Sequence, residues 1–236
     1  MQRYFVEEDN NKIIGSNYHR ITQVMRGKVG DKIVVCCNGV CNICTIDSIG
    51  EYIKYSKLKM LEKVDSLHIT LIQGFPKGKK YEDVIKTSSH LGVSNIIFVK
   101  MQRSEADPKT IKDERAKLII KEACELSRRD TLAYYSVSDT IERIDYSQFD
   151  LLIMADEEEK DNVVSSYLTS NNIYNRIGVI IGPEGGINSA ERAFLKEKGA
   201  KSVTLGSLIF PTQLANIVIL SIINEWFLNN VKNKIV

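Results

Sequence analysis

The stretch RIGVIIGPEGGINSAERAFLKEKGAKSVTLG, residues 176–206, decides the fold. It opens on branched apolar residues, and 179–181 read as a buried strand ending in the loop Gly182-Pro183-Glu184-Gly185-Gly186. Asn188 with Glu191 three residues later forms a capping box that starts a helix over 189–198. A second apolar run, SVTLG, ends at Gly206 in another loop, SLIFPT, before a last helix begins near Thr212. Glycines let backbone N–H groups approach a ligand closely, and the helix N-terminus adds partial positive charge. Two strand ends that deliver such loops side by side, outside the carboxyl edge of a parallel sheet, are where α/β folds bind cofactors. Neither the Gly-Lys-Ser/Thr of a phosphate-binding P-loop nor the dinucleotide G-x-G-x-x-G is present.

Working outward, LHITLIQGF, NIIFVK and DLLIMA read as further buried strands, and 79–91, 110–128, 157–169 and 212–229 as helices. TLAYYSV at 131–137 adds a strand. The alternation predicts a largely parallel sheet covered on both faces. Residues 1–66 have a different texture: short β-like runs, a hairpin signal at Asn38-Gly39, and one short helix in SNYHRITQVM with Ser16 or Asn17 as cap. The expected boundary lies near 65–72, with no Pro/Gly/Ser-rich linker to mark it.

The 236 residues allow two modest domains, and 32 Lys plus Arg against 30 Asp plus Glu announce no polyanionic partner by composition alone. Five cysteines, four of them within 36–44, fit reduced intracellular thiols better than a secreted disulfide framework. Their spacing is not that of a structural zinc site, so no metal is expected. MQRYFVEEDNNKIIG lacks the regions of a signal peptide, and the apolar segment 213–228 carries Asn216, Asn224 and Glu225. It reads as a buried helix rather than a membrane span.

The residues resemble a known family, the bacterial 16S ribosomal RNA uridine N3-methyltransferases of the knotted SPOUT class. The matching pieces are Arg3-Tyr4-Phe5, His19, Val24-Met25-Arg26, Gly30-Asp31, Pro76-Lys77-Gly78, Lys86 and Leu91-Gly92-Val93. Arg103-Ser104, Glu122-Ala123, Ser127, Arg129 and above all 181–186 complete the series. The resemblance implies a PUA-like β-barrel RNA-binding domain over 1–68, then a SPOUT α/β domain over 69–236 with a mostly parallel sheet and a C-terminal trefoil knot. It further implies a cytoplasmic homodimer that uses S-adenosyl-L-methionine to methylate N3 of one uridine of 16S rRNA in the small ribosomal subunit. By the same resemblance Ile181, Gly182, Pro183, Glu184, Gly185 and Gly186, with Leu205, Gly206, Ile209 and Phe210, line the cofactor. Arg103 is the catalytic candidate, and Arg3, His19, Arg26, Lys77 and Arg129 are expected to meet RNA. An arginine suits the chemistry, because the imide N3 must lose its proton before attack and a cation beside the carbonyl oxygens stabilises the anion.

The last loop departs from the family pattern. Leu208 and Pro211 stand where arginines are usual, and Gln213-Leu214 replaces a Glu-Thr pair, while Gly206, Ile209 and Ala215 are kept. Leu126, Arg128 and Ala133 replace a glutamine, a glycine and a proline. A second reading is therefore a catalytically impaired or inactive RNA-binding or ribosome-assembly protein on the same scaffold. Methylation of another base shares most of the site. The run Asp156-Glu157-Glu158-Glu159 reads as a solvated helix N-terminus.

Overall fold

The computed structural model describes residues 1–62, 67–169 and 172–234. The chain divides into two compact units, Met1–Asp65 with Lys121–Leu132, and Ser66–Ile120 with Ala133–Val236. Lys121–Leu132, which the sequence reading put with the second domain, thus clusters with the first.

The first unit contains β1 (Arg3–Phe5), β2 (Lys12–Ile13), α1 (Gly15–His19) continued by a π-helical turn (Arg20–Val24), β3 (Lys32–Cys37), β4 (Val40–Ile49) and β5 (Ile53–Met60). They form a mixed sheet in the order β1-β3-β4-β5-β2, with β1 parallel to β3 and the other pairs antiparallel. Alternate residues Ile33 and Val35, Cys44 and Ile46, and Ile53 and Tyr55 fill one core, as period-two strands require. The hairpin turns on Asn38 and Gly39, whose φ values of 49° and 78° are those of a type I′ turn.

Two details differ from expectation. The first helix has no side-chain cap, and Asn17 is instead buried, its amide donating to the carbonyl of Phe5 at 2.9 Å. The hairpin register sets Cys36 directly opposite Cys41, and the two buried sulfurs form a disulfide, leaving Cys37, Cys44 and Cys124 as thiols. The reduced-thiol expectation therefore fails for this pair, because cross-strand partners approach more closely than sequence spacing suggests. Lys121–Leu132 is tied to β1 by Glu125, a buried carboxylate that accepts from the Phe5 N–H at 3.0 Å and from Arg20 Nη1 at 2.6 Å.

The second unit contains β6 (His68–Gly74), α2 (Lys80–His90), β7 (Asn95–Val99), α3 (Asp113–Leu126), whose last residues count with the first unit, and β8 (Tyr134–Ser138). There follow β9 (Leu151–Ala155), β10 (Arg176–Ile181), α4 (Ser189–Glu197), β11 (Lys201–Val203) and α5 (Thr212–Lys234). Its sheet runs β11-β9-β10-β6-β7-β8, and every pairing is parallel. The inner strands are continuous apolar runs because both their faces are covered. From β6 the chain moves through β7 to β8 on one side, while β9, β10 and β11 lie on the other, so the strand order reverses between β6 and β10. That reversal opens a crevice at the carboxyl ends of these two strands.

The expected helix over 157–169 is not formed. Between β9 and the segment 172–175 the described chain turns and makes only a short 3-10 turn, Val164–Ser166. Glu159 accepts the N–H groups of Lys160, Asp161 and Asn162, which pulls its pKa down to about 2, and Val163 bridges in parallel to Thr204. A side chain that satisfies three successive N–H groups supports a loop rather than a regular helix. The last helix packs on α2: Asn216, fully buried, donates to the hydroxyls of Thr87 and Ser88, and Asn224 donates to the carbonyl of Leu91. Among the described residues no helix is long and apolar enough to cross a membrane.

Candidate functional site

At the crevice the backbone of β6 meets the glycine loop. A Cβ on Gly74 would lie 2.5 Å from Pro183 Cδ and 2.9 Å from the carbonyl carbon of Gly182, so only glycine permits this approach. Gln73, fully buried at the end of β6, donates from Nε2 to the Thr212 hydroxyl at 2.8 Å, and that hydroxyl donates to the carbonyl of Gly182 at 2.7 Å. The glycine loop and the start of α5 are thereby fixed to one strand.

Glu184 points away from the loop's glycines, toward the turn before α2. Its carboxylate accepts the Lys77 N–H at 3.2 Å and the Lys80 ammonium at 2.8 Å. Burial acts to raise its pKa, but Lys80 and the backbone N–H groups outweigh it and hold the carboxyl below the ordinary glutamate range. Gly186, with φ at 73°, closes the loop through its N–H to the carbonyl of Pro183 at 2.9 Å. The capping box follows as read from sequence: Asn188 Oδ1 accepts the Glu191 N–H at 2.9 Å and Glu191 accepts the Asn188 N–H at 3.2 Å.

Three loops enclose an open cleft of about 1070 Å³: residues 155–163 after β9, residues 181–187 after β10, and residues 204–212 after β11. Of the residues assigned to a cofactor, Ile181, Gly182, Pro183, Glu184, Gly186, Leu205, Gly206, Ile209 and Phe210 all border it. Gly185 does not, because its carbonyl faces Arg103 and accepts from Nη1 at 2.9 Å. The N–H groups of Ser207, Leu208, Ile209 and Phe210 make no hydrogen bond within the chain among the described residues. Four successive free donors on an apolar loop suit a planar heteroaromatic ligand held by main-chain contacts.

Sequence reading missed the cleft's charged wall. Asp156 is buried rather than solvated, accepting from Arg192 Nε at 3.0 Å and from the Ser202 hydroxyl at 3.1 Å. Arg192 also pairs with Glu158 at 3.0 Å and donates to the carbonyl of Ile187 at 3.1 Å. In sequence Arg192 is one more charged residue on a helix, and nothing distinguishes it from a solvated side chain.

The residues assigned to RNA are differently placed. Arg3 is occupied by Asp130 and the carbonyl of Arg128, whereas His19 and Arg26 are exposed in the first unit. Arg129 is half-buried, and burial pulls its guanidinium pKa down. Lys77, in the second unit, is exposed and pairs with Glu105 at 2.6 Å. Among the described residues no group of histidines, cysteines and carboxylates could hold a metal.

Comparison with known proteins gives the same frame. The family profile described as an RNA methyltransferase domain matches residues 63–224. The chain is 30% identical over 250 aligned positions to ribosomal RNA small subunit methyltransferase E of Bacillus subtilis, covering 95% of this chain and 96% of that one. Its fold is like that of a ribosomal RNA small subunit methyltransferase E from Neisseria gonorrhoeae bound to S-adenosyl methionine, with TM-score 0.77, 22% identity and coverage of 95% and 97%. It is also like that of a probable rRNA-methyltransferase from Porphyromonas gingivalis, with TM-score 0.79, 18% identity and coverage of 96% and 98%. A profile match over most of the chain and a relative matched end to end establish that the chain belongs to the RNA methyltransferase family that includes ribosomal RNA small subunit methyltransferase E.

Proposed function

We propose that this protein is an S-adenosyl-L-methionine-dependent methyltransferase acting on N3 of a uridine in the 16S rRNA of the small ribosomal subunit. The observation that carries the reading is the cleft at the β6/β10 reversal, built from the glycine loop and two neighbouring loops in a chain related end to end to ribosomal RNA methyltransferases. The residues present fit the cofactor: Leu205, Leu208, Ile209 and Phe210 give apolar contact for an adenine, and the free N–H groups of 207–210 give main-chain donors. When bound, S-adenosyl-L-methionine supplies a methyl group on a sulfonium that a nucleophile can displace.

What the chain contributes is position and charge. Ile181, Gly182, Pro183, Gly186, Leu205, Gly206, Ile209 and Phe210 hold the cofactor, and Glu184 fixes the glycine loop from behind through Lys77 and Lys80. Arg103, aimed along Gly185 and in no ion pair among the described residues, stabilises the uridine imide anion. Because Leu208 and Pro211 replace the usual arginines, Arg103 bears more of that task here than in the family pattern. The first 68 residues act as a PUA-like RNA-binding domain, with His19 and Arg26 as exposed cations for phosphate, and residues 69–236 as a SPOUT domain with a C-terminal trefoil knot. The loop 204–212 leading into an α5 packed on α2 and β10 supports that knot. The active form is a cytoplasmic homodimer.

One observation favours a second reading. Leu208 is 72% exposed where the family pattern has an arginine, as suits an RNA-binding or assembly protein without turnover. Transfer of labelled methyl from S-adenosylmethionine to small subunits lacking the modification, with base-resolved mapping and Arg103→Ala in parallel, separates the two. Label at one uridine N3, reduced in R103A, supports the enzyme. Cofactor or RNA binding without transfer supports the binding protein.

A further inference from the structure

The acidic run after β9 has four carboxylates, and the structure commits three of them. Asp156 is held by Arg192 and Ser202, Glu158 by Arg192, and Glu159 by the N–H groups of residues 160–162. Glu157 alone of the four makes no side-chain hydrogen bond or ion pair among the described residues, and it borders the cleft. Its Oε1 reaches within 2.9 Å of where a Cβ on Gly186 would stand, and Arg103 Nη1 lies 3.8 Å from the same point. A free carboxylate that borders the cleft and the Arg103 guanidinium therefore both approach one glycine of its lining. Gly186 is required there by its φ of 73°, while the Glu157 oxygen, the end of a flexible side chain, only approaches it.

Uridine N3 is a poor nucleophile until its proton leaves, and the proposed reaction gives that proton no destination. Arg103 can stabilise the resulting anion but cannot accept the proton, because its guanidinium stays charged. Resting on the methyltransferase reading above, we infer that Glu157 is the proton acceptor of the reaction. The N3–H bond breaks with its proton passing to a Glu157 oxygen. The electron pair left on N3 forms the bond to the methyl carbon, and the pair of the broken carbon–sulfur bond stays on sulfur. Arg103, whose Nη1 lies 3.8 Å from the same point beside Gly186, meanwhile faces the uracil carbonyl oxygens. The other charged groups bordering this part of the cleft are Lys160, Glu184 and the Asp156–Arg192 pair, each held by the contacts already described or, for Lys160, by the carbonyl of Glu157 at 2.7 Å.

The test uses single-turnover methylation of small subunits reconstituted with 16S transcript, made either with uridine or with 5-fluorouridine, whose N3 proton is more acidic. The wild type, Glu157→Gln and Glu157→Asp are compared, and S-adenosylhomocysteine binding is measured by calorimetry for each. The expected result is a loss of about 100-fold or more for E157Q on uridine RNA. Most of that loss should be recovered on 5-fluorouridine RNA, E157D should be intermediate, and nucleoside binding should stay within about twofold of wild type. An E157Q rate near wild type overturns the inference, as does an equal deficit on both RNAs. A fall in nucleoside binding that accounts for the lost rate overturns it too, making Glu157 a cofactor ligand. If the wild type itself transfers no methyl to N3, the methyltransferase reading falls and takes the inference with it, whereas an active wild type with an unaffected E157Q removes this inference alone.

Discussion

Arg192 Nε and Asp156 Oδ1 meet at 3.0 Å in the wall of the cleft, with side chains only 10% and 2% exposed. Removing one member of a buried pair leaves an uncompensated charge, which costs about 3–5 kcal/mol, whereas replacing both costs far less. Arg192→Met is therefore expected to lower unfolding stability in urea by that amount. R192M combined with Asp156→Asn should recover part of it. A double-variant loss equal to the sum of the R192M and D156N losses would show that the pair is not coupled.

The Thr212 hydroxyl pins the glycine loop to the start of α5, accepting from Gln73 and donating to Gly182. Thr212→Val keeps the shape and removes both hydrogen bonds of the hydroxyl, leaving Gln73 Nε2 its bond to the Gly74 carbonyl at 3.0 Å and a longer one to that of Gly182 at 3.3 Å, at a cost of about 1–3 kcal/mol. Thr212→Ser should keep most of the stability. Because the Gly182 carbonyl sets the course of the glycine loop, T212V should also weaken S-adenosylhomocysteine binding measured by calorimetry, and T212S should not.

The glycine loop, the capping box and the alternation of strands and helices were legible because each is local: a φ requirement, a spacing of three, a run of branched residues. The wall of the cleft was not. Val163, Val164, Tyr167 and Leu168 have helical spacing, yet Glu159 binds three N–H groups and Val163 pairs with Thr204, contacts made across the chain. Asp156 read as solvated because its partner Arg192 lies 36 positions away. β1 escaped notice for the same reason, since three residues pairing in parallel with β3 leave no periodic signal. The Cys36–Cys41 disulfide depended on a hairpin register that the Asn38-Gly39 turn sets only once its type is known.

That disulfide gives a direct thiol count. Of the five cysteines, two are paired, so protein purified without reductant and denatured should react with three equivalents of a thiol reagent, and with five after reduction. Cys36→Ser should leave four reactive thiols without reductant. A count of five in unreduced wild type would show that the pair lies close but unbonded.

Glu184 supplies a pH dependence with a definite sign. Its folded pKa is held below the ordinary glutamate range, so its contribution is fully present above the unfolded value of about 4.3 and is lost as the pH falls through the lower folded value. Glu184→Gln should therefore flatten the acid limb of a stability profile between neutral pH and pH 3, measured by urea midpoints. An unchanged acid limb would mean that Lys77 and Lys80 do not stabilise the charged form.

The end of α3 explains one departure from the family pattern and gives the last prediction. The Arg129 N–H bonds the carbonyl of Cys124 and the Arg128 N–H bonds that of Glu125, the two closures of a Schellman motif, and they place Arg128 in the left-handed region at φ 56°. The resemblance implies a glycine at this position, and the geometry suits one: a side chain there costs about 1 kcal/mol that glycine does not. The Arg128 carbonyl, not its side chain, is what Arg3 uses, so Arg128→Gly keeps the tie between β1 and the 121–132 segment. R128G should thus raise stability by about 1 kcal/mol, read as a higher thermal midpoint at equal ionic strength. Arg128→Ala separates the backbone from the charge: it retains the left-handed strain and should leave the midpoint near wild type. A rise with alanine equal to that with glycine would assign the effect to the guanidinium instead.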